Sequence, residues 1–295
     1  MSAFIQKKHR AYLEMHLAVL LYGLTAILGA LISVAAISLV WWRVGMTALA
    51  MIFFSRIFRE IRKLNQRQLL TFLIIGGLIG IHWVCFYGSI KLANASVALI
   101  CMSTISVFTA FIEPFFIKAR LQMVDVLFGL AMIPPMWLTV HNLDFSMYSG
   151  VAVGILASVF LALFAAMNKK YIDKADPITI TFIEMVGAWL FLSLFLPWIL
   201  TDEKISFLPI AQDWIYLIFL SLVCTTFAFL LNLRALKHIS AFASNYVFNL
   251  EPVYGILLAI VILKEHKELS MGFYLGVLSI IVLVFLYPLC KERMK

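Results

Sequence analysis

Charged residues are scarce in this sequence: Asp, Glu, Lys and Arg make up only 13% of its 295 residues, while 64% are hydrophobic. Soluble globular proteins carry about 25% charged residues and roughly 45–50% apolar ones. A water-soluble protein of this length cannot bury so much apolar surface. The composition therefore excludes a water-soluble protein. The chain is therefore predicted to be an all-α integral membrane protein.

Cysteine is scarce as well, with four residues in the chain. All four fall inside apolar runs, and their spacing fits neither a metal site nor a disulfide framework. We interpret them as reduced packing residues, and we expect no bound metal and no cofactor. They are Cys85, Cys101, Cys224 and Cys290.

Catalytic motifs are missing too. The sequence contains no HExxH and no GxSxG, and no pair of aspartates lies in the middle of an apolar run. A uniform pore would be expected to place polar residues along one lining helix, and no such stripe is visible. We therefore expect a protein that is not an enzyme, with an intramembrane enzyme or a channel as the alternative function.

Ten apolar runs occupy almost the whole chain, each close to the roughly 20 residues that span a bilayer as a helix. The connectors between them are short, so they leave no room for a soluble catalytic or ligand-binding domain. The ten predicted segments cover residues 16–34, 36–58, 69–91, 95–117, 122–141, 149–169, 178–200, 213–234, 241–263 and 270–290.

The distribution of lysine and arginine predicts the orientation, because cytoplasmic loops of membrane proteins are enriched in both. With the N-terminus in the cytoplasm, 18 of these residues fall in cytoplasmic segments and 4 in outside segments. The net charge of +8 then suits an anionic membrane surface, and we expect no nucleic-acid partner. We predict a multi-pass protein of the cell inner (plasma) membrane with both termini in the cytoplasm.

The two halves of the chain resemble each other weakly. A shift of 146 residues places YGSIKLANASVA (87–98) on LRALKHISAFAS (233–244), with one lysine and one alanine identical. Five helices per half is an odd number, so the halves must enter the membrane in opposite directions. We predict two inverted five-helix repeats, residues 1–145 and 146–295, with a substrate site between them near the membrane midplane.

Ten segments with an arginine early in the second of them resemble the EamA-type family of the drug/metabolite transporter superfamily. The most specific stretch is NLEPVYGILLAIVILKEHKELSMGFYLGVLSII (249–281), which is similar to the second-repeat signature of the family through Pro252 and Glu265. The first half departs from the family pattern at Ala119, where an acidic residue is usual, and at Ser106, where a proline is usual.

This resemblance covers essentially the whole chain and implies a function. It implies a secondary transporter that moves a small organic metabolite, such as an amino acid or a related compound. It also implies export by alternating access, in a monomer embedded in the lipid bilayer. Whether transport is coupled to protons stays open.

Arg43 lies inside the second segment, where a charge is costly unless it faces a cavity or a partner. Three interpretations stay open: the side chain snorkels to the interface, it forms a structural ion pair with a carboxylate, or it lines a cavity. A shift of 141 residues places Glu184 on Arg43. We predict that Arg43 binds an anionic group in a cavity and that Glu184 is its counterpart in the other half.

Two more carboxylates lie within apolar runs. Glu251 is followed by Pro252, which removes a backbone donor and can kink the helix, so we predict a substrate or proton site there. Glu113 lies near the end of its segment, and we expect it to snorkel or to pair with Lys118 or Arg120.

Neutral polar residues complete the predicted site. His82 is either a hydrogen-bonded packing residue or a polar contact in an aromatic pocket with Trp83 and Tyr87. Asn245 and Asn249, one helical turn apart, offer amides that suit a zwitterion. All five are predicted to bind substrate.

Proline and glycine indicate where helices bend and where they approach each other. Pro134 and Pro135 are predicted to kink or unwind the fifth segment. Glycines four residues apart permit close helix packing. Such pairs are Gly76 with Gly80, Gly150 with Gly154, and Gly272 with Gly276.

Overall fold

The computed structural model describes residues 2–54, 56–140, 144–202, 205–264 and 271–293, and every regular element in these ranges is helical. Two short π-helical stretches, Leu222–Phe227 and Ala259–Leu263, continue the α-helices that end at Ser221 and Leu258. The α-helices are α1 (Ser2–Leu31), α2 (Ala36–Ile52), α3 (Arg56–Ile61), α4 (Gln66–Leu92), α5 (Ala95–Met102), α6 (Ile105–Ile117), α7 (Met123–Leu130), α8 (Ile133–Val140), α9 (Tyr148–Tyr171), α10 (Pro177–Ser193), α11 (Leu196–Thr201), α12 (Ala211–Ser221), α13 (Ala228–Leu236), α14 (Ala241–Phe248), α15 (Glu251–Leu258) and α16 (Met271–Arg293).

Seven helical stretches in the described part of the chain are long and apolar enough to cross a membrane, and three shorter apolar helices accompany them. Some predicted boundaries differ from the observed ends of the helices. The first helix starts at Ser2 rather than near residue 16, because nothing in the polar leader ends a helix. The second run was drawn too long, since α2 ends at Ile52 and the basic residues beyond it form the separate helix α3.

The two halves of the chain pack against each other in a reciprocal way. Helix α1 contacts α13 and α15 of the second half, while α9 contacts α4 and α6 of the first half. Helix α2 packs on α10 in the same bundle. The buried core therefore lies mainly between the two halves.

Two broken helices, α5–α6 and α14–α15, begin in the same way. The Asn94 side chain accepts a hydrogen bond from the Val97 N–H at 2.8 Å. The Ser240 hydroxyl accepts one from the Ala243 N–H at 3.0 Å. Both are N-caps, which satisfy a donor that the helix itself leaves unpaired. The capping residues are 146 residues apart, the shift that aligned the halves in the sequence.

The same two helices also break and end at matching positions. Their breaks fall at residues 103–104 and 249–250, again 146 apart. Lys118 and Lys264 follow their last turns in left-handed conformations, with φ of 54° and 59°. In the described residues no other non-glycine has a positive φ. Shape is therefore repeated between the halves more faithfully than sequence.

Pro252 accounts for the break in α14–α15 but has no counterpart in α5–α6. There, the Ser103 and Thr104 hydroxyls donate to the carbonyls of Ile100 and Cys101, each at 2.7 Å. Hydroxyls that bond to the preceding turn compete with the helix ladder and bend helices. The Ser158 hydroxyl of α9 donates to the Cys101 carbonyl at 2.9 Å and supports the bend.

Close helix crossings use glycine as predicted. A Cβ atom at Gly76 of α4 would collide with the Glu184 carbonyl of α10, and one at Gly187 would collide with the Leu73 backbone. Gly150 and Gly154 of α9 likewise lie against α4 and α5. The pair in the last helix stays a prediction.

The fifth segment is interrupted, as its two prolines predicted. The interruption lies between α7 and α8, at Ala131 and Met132. Pro134 and Pro135 then occupy the first turn of α8, where a missing N–H costs nothing because that donor has no partner in the helix.

Polar contacts tie the helices together at the end of the bundle where α1 finishes. The Asp213 carboxylate accepts hydrogen bonds from the Ser33 N–H at 2.9 Å, the Ser33 hydroxyl at 2.6 Å and the Ile210 N–H at 3.2 Å. Lys91 of α4 donates to the Ile32 carbonyl. These contacts join α1, α4 and α12.

A second set of polar contacts lies at the opposite end, around the turn from α13 to α14. The Lys169 ammonium of α9 donates to the carbonyls of Leu236 and Ile239, each at 2.7 Å. A cation on terminal carbonyls and an anion on initial N–H groups both suit the helix dipole. The anion here is Glu113 of α6.

Candidate functional site

Arg43 lies in the middle of the bundle with only 1% of its surface exposed. Its Nε donates to the Thr225 hydroxyl at 2.7 Å, and its Nη1 donates to the Tyr87 hydroxyl at 2.7 Å. Its Cζ lies 4.0 Å from the centroid of the Trp83 ring. The remaining nitrogen, Nη2, is buried without a hydrogen-bond partner in the described part of the chain.

The burial of Arg43 argues against two of its three interpretations. Snorkelling is wrong, because the guanidinium is held at Thr225 and Tyr87 instead of reaching the interface. Across the described ranges no carboxylate oxygen lies within 4.0 Å of it, so no direct ion pair neutralises it. A guanidinium stays protonated, so it cannot lose its charge to reduce the cost of burial. A buried cation with one free donor suits an anionic ligand.

A small cavity of about 30 Å³ lies beside this arginine, with room for roughly two water molecules. Helices of both halves line it, and the lining is aromatic with a few polar groups. Trp83 lines the cavity, and the Arg43 guanidinium lies over its ring. The structure therefore brings Arg43, Trp83 and Tyr87 together and places His82 and Glu251 at the cavity that Trp83 lines.

Glu251 contributes a carboxyl group to the cavity. It is 5% exposed and occupies the first turn of α15, immediately after the break at residues 249–250. A carboxylate at the start of a helix is stabilised by the helix dipole. Glu251 interacts electrostatically with Arg43, although no hydrogen bond joins them among the described residues. The break thus presents a carboxyl group to the cavity instead of hiding it within the bundle.

His82 is hydrogen-bonded and also lies at the cavity. Its Nδ1 lies 2.9 Å from the Ala157 carbonyl, which can only accept, so Nδ1 carries the hydrogen. The ring also lies on the cavity wall and stacks on Phe86, with the centroids 6.1 Å apart. Because Nδ1 is engaged, Nε2 is the ring atom left for other contacts.

The predicted asparagines lie at the crossing of the two broken helices rather than on the cavity wall. Asn245 donates to the Thr109 hydroxyl at 2.9 Å, and Asn249 donates to the Ser106 hydroxyl at 2.6 Å. The oxygen of each amide is buried without a partner in the described chain. Asn232 lines the cavity instead and accepts a bond from Ser244 at 3.2 Å.

Glu184 is fully buried in α10 but does not line this cavity. The polar side chain near its carboxyl group is that of Asn168 of α9 rather than Arg43. No hydrogen bond of normal geometry joins Glu184 and Asn168, and both carboxyl oxygens lack a partner in the described residues. The structure therefore does not bring Glu184 to Arg43, and its functional role stays a prediction.

Glu113 corrects an expectation, because it neither snorkels nor pairs with Lys118 or Arg120. It is 5% exposed, and its two oxygens accept hydrogen bonds from the N–H groups of Ala241 and Phe242, at 2.8 and 2.6 Å. The reason is geometric: α6 crosses the start of α14, whose unpaired N–H groups attract an anion more strongly than flexible surface cations do.

One residue of the arginine site was not predicted. Thr225 lies in the π-helical stretch Leu222–Phe227 and accepts the bond from Arg43 Nε. Its only signal in the sequence is a pair of threonines, Thr225 and Thr226, in an otherwise apolar run. Such a pair is common in membrane helices, so it did not stand out.

Comparisons with known proteins bear on this arrangement. The sequence matches the EamA-like transporter family over residues 9–140 and again over 148–287. A crystal structure of a protein with 17% sequence identity superposes with a TM-score of 0.72, over 97% of this chain and 98% of that chain. At this identity the likeness concerns the fold alone. Among curated proteins, none matches the sequence.

Proposed function

This chain belongs to the EamA-like transporter family, and we propose that it is a secondary transporter for a small organic metabolite, an amino acid or a related compound. The observation that carries the proposal is Arg43, a buried cation with one free donor beside a cavity that also contains a carboxyl group. The pairing of a fixed positive group with Glu251 suits a substrate that carries both charges. Aromatic walls suit its apolar part.

The proposed topology has ten membrane spans in two inverted repeats, residues 1–145 and 146–295. The protein is proposed to lie in the plasma membrane with both termini in the cytoplasm. Two family matches, one in each half, support the repeat. The shift of 146 residues shared by caps and breaks of the two broken helices supports it further. The orientation rests on the uneven distribution of lysine and arginine.

Alternating access is the proposed mechanism, and export is the proposed direction. The cavity is smaller than an amino acid and lies between two sets of polar contacts, one at each end of the bundle. Substrate entry then requires one set to open while the other stays closed. The direction rests on the family resemblance, and the protein is proposed to act as a monomer.

The proposed roles follow from position. Arg43 binds the anionic group of the substrate, with Tyr87 and Trp83 fixing the guanidinium, and His82 offers a polar contact. Glu251 binds a cationic group or a proton.

The three remaining predicted site residues keep proposed roles at the edge of this site. Glu184 is a second candidate for proton coupling, because a buried carboxyl group can lose its charge by binding a proton. The amide oxygens of Asn245 and Asn249 have no hydrogen-bond partner among the described residues. A shift of α14 would make them available to the substrate.

Purified protein in proteoliposomes tests the proposal. Uptake of radiolabelled amino acids and related metabolites is compared for the parent, Arg43→Ala, Arg43→Lys and Arg59→Ala, the last being an exposed arginine on α3. We expect Arg43→Ala to lower the rate at low substrate concentration roughly 30-fold or more, because truncating one partner of a buried charge pair costs about 2 kcal/mol or more. Arg59→Ala is expected to transport like the parent.

Arg43→Lys separates charge from geometry. Lysine keeps the charge but lacks the planar fork, so we expect it to recover only part of the transport. If Arg43→Ala folds and transports like the parent, the proposed substrate site is wrong. Inertness towards all organic solutes, combined with ion flux through the same vesicles, would favour a channel.

A further inference from the structure

A stretch of π-helix interrupts the helix that passes Arg43. Leu222–Phe227 lies between α12 and α13, and its sequence LVCTTF contains neither proline nor glycine. A π-helical turn inserts one residue into an α-helix and leaves backbone carbonyls to be satisfied by other groups. Such turns are found frequently at functional sites.

Threonine hydroxyls donate to the two carbonyls that directly precede this stretch. Thr225 donates to the Leu220 carbonyl at 2.7 Å, and Thr226 donates to the Ser221 carbonyl at 2.8 Å. Each hydroxyl reaches five residues back, which an ordinary helix does not allow. Thr47 of α2 adds a bond to the Ser221 carbonyl at 3.1 Å.

The two threonines differ in what else they contact. Thr225 is fully buried and accepts the hydrogen bond from Arg43 Nε. Thr226 is partly exposed and makes no hydrogen bond to Arg43. Because the Thr225 hydrogen points to the Leu220 carbonyl, its oxygen lone pairs are left to face the guanidinium. The π-helical stretch thereby fixes the direction in which Thr225 can accept.

Three contacts then fix the guanidinium plane. Thr225 accepts from Nε, Tyr87 accepts from Nη1, and the guanidinium lies over the Trp83 ring, whose centroid is 4.0 Å from Cζ. A planar group held at two nitrogens and one face has no freedom to rotate. The nitrogen left unpaired is Nη2.

From this geometry we propose that Thr225 is a positioning residue for transport: the π-helical stretch holds its hydroxyl on Arg43 Nε so that Nη2 is kept free to donate to an anionic oxygen of the substrate. The inference rests on the proposed function for the role of Nη2. The orientation of the Arg43 side chain by Thr225 does not depend on the proposed function, because it requires no substrate.

The test uses three matched variants of the full chain. Thr225→Val keeps the branched shape and removes the hydroxyl, Thr225→Ser keeps the hydroxyl, and Thr226→Val removes the neighbouring hydroxyl that does not contact Arg43. Uptake is measured for the radiolabelled amino acid that gives the highest rate with the parent. We expect Thr225→Val to raise KM about tenfold, the effect of about 1.4 kcal/mol, which is typical of a hydrogen bond to a charged group. Vmax is expected to stay within about twofold.

The controls are expected to separate positioning from helix stability. Thr225→Ser and Thr226→Val should keep KM within about twofold of the parent, since both leave the bond to Arg43 possible. Equal KM increases in Thr225→Val and Thr226→Val would overturn the proposal, because the hydroxyls would then only stabilise the π-helical stretch. An unchanged KM in Thr225→Val would overturn it as well.

A spectroscopic measurement needs no substrate. The emission of Trp83, obtained by subtracting the spectrum of a Trp83→Phe partner from that of each protein, reports the cation lying on its ring. We expect its wavelength to shift in Thr225→Val and to stay unchanged in Thr225→Ser and Thr226→Val. No shift would overturn the orientation role even if transport is found. A shift without any transport would support the orientation and count against the proposed function.

A fourth variant covers the case in which Thr225→Val does not fold. Thr225→Cys keeps a weak acceptor of similar size. We expect it to give a KM and a Trp83 signal between those of the parent and a protein without the bond. Parental values for both would overturn the proposal.

Discussion

Glu113 Oε2 accepts a hydrogen bond from the Phe242 N–H at 2.6 Å, so a carboxyl group of the first half closes the start of a helix in the second half. Its other oxygen takes the Ala241 N–H at 2.8 Å. Between them the two bonds satisfy donors that the helix leaves open. Because Glu113 and the helix it caps belong to different halves, the contact must weaken if the halves separate at this end of the bundle.

Removing this cap is expected to destabilise the protein. We predict that Glu113→Ala lowers the free energy of unfolding by about 1–3 kcal/mol, since two buried N–H groups lose their acceptor. Thermal unfolding in detergent measures the effect. Glu60→Ala removes a carboxylate whose partner, Lys63, is 63% exposed, and such pairs contribute at most about 1 kcal/mol. Equal losses in the two variants would contradict the capping role.

Weakening the contacts of Asp213 is expected to open the other end of the helix bundle. The carboxylate holds both the N–H and the hydroxyl of Ser33, so Asp213→Asn loses an acceptor there. We predict faster labelling of a cysteine introduced at Thr25, on the cavity wall, by a membrane-impermeant thiol reagent applied at that end. Asp144→Asn, which removes a charge from an exposed cap, is the control.

The direction of labelling distinguishes alternating access from general loosening. Asp213→Asn should not increase labelling of Thr25→Cys from the opposite face, and Glu113→Gln should show the reverse preference. Similar increases from both faces in either variant would contradict two separate closures. Labelling is compared with the same variant lacking the new cysteine, because Cys85 and Cys290 are partly accessible.

Two adjacent glycines of α4 allow a matched test of helix packing. A Cβ atom at Gly76 would collide with the Glu184 carbonyl, whereas one at Gly77 would meet Phe191 at an ordinary 3.8 Å. We predict that Gly76→Ala destabilises the protein by about 1–3 kcal/mol or more through overpacking. Gly77→Ala is expected to be neutral or stabilising, because alanine favours a helix by up to about 1 kcal/mol. Unfolding temperatures of the two variants in detergent decide the matter.

The sequence predicted the class of fold because apolar length and spacing are direct consequences of the bilayer. The shift of 146 residues, found from weak similarity, also aligned the caps at Asn94 and Ser240. Boundaries were less accurate, since a helix that leaves the membrane need not end there, as α1 shows. The break at Ser103 and Thr104 was missed because hydroxyl bonds to the preceding turn leave no distinctive residue such as proline.

The sequence singled out the buried arginine but not the residues that contact it. Arg43 stood out because a charge in an apolar run needs a reason. Its actual partners, Tyr87 and Thr225, are uncharged, and the prediction of Glu184 assumed that symmetry places opposite charges together. Glu113 was misjudged for a related reason, since a helix start 128 residues away is invisible to local spacing.

The two buried carboxyl groups give the last prediction, which concerns proton coupling. Glu251 lines the cavity and interacts with Arg43, whereas Glu184 lies outside the cavity next to Asn168. A carboxyl group that exchanges a proton for substrate must be reachable from the cavity, so we predict that Glu251→Gln removes the pH dependence of uptake. Glu184→Gln should keep the pH dependence and alter only the stability. Uptake measured across a series of external pH values, with the internal pH held constant, separates the two. If Glu184→Gln flattens the profile and Glu251→Gln preserves it, the coupling group lies outside the cavity, and α10 rather than α15 carries the proton.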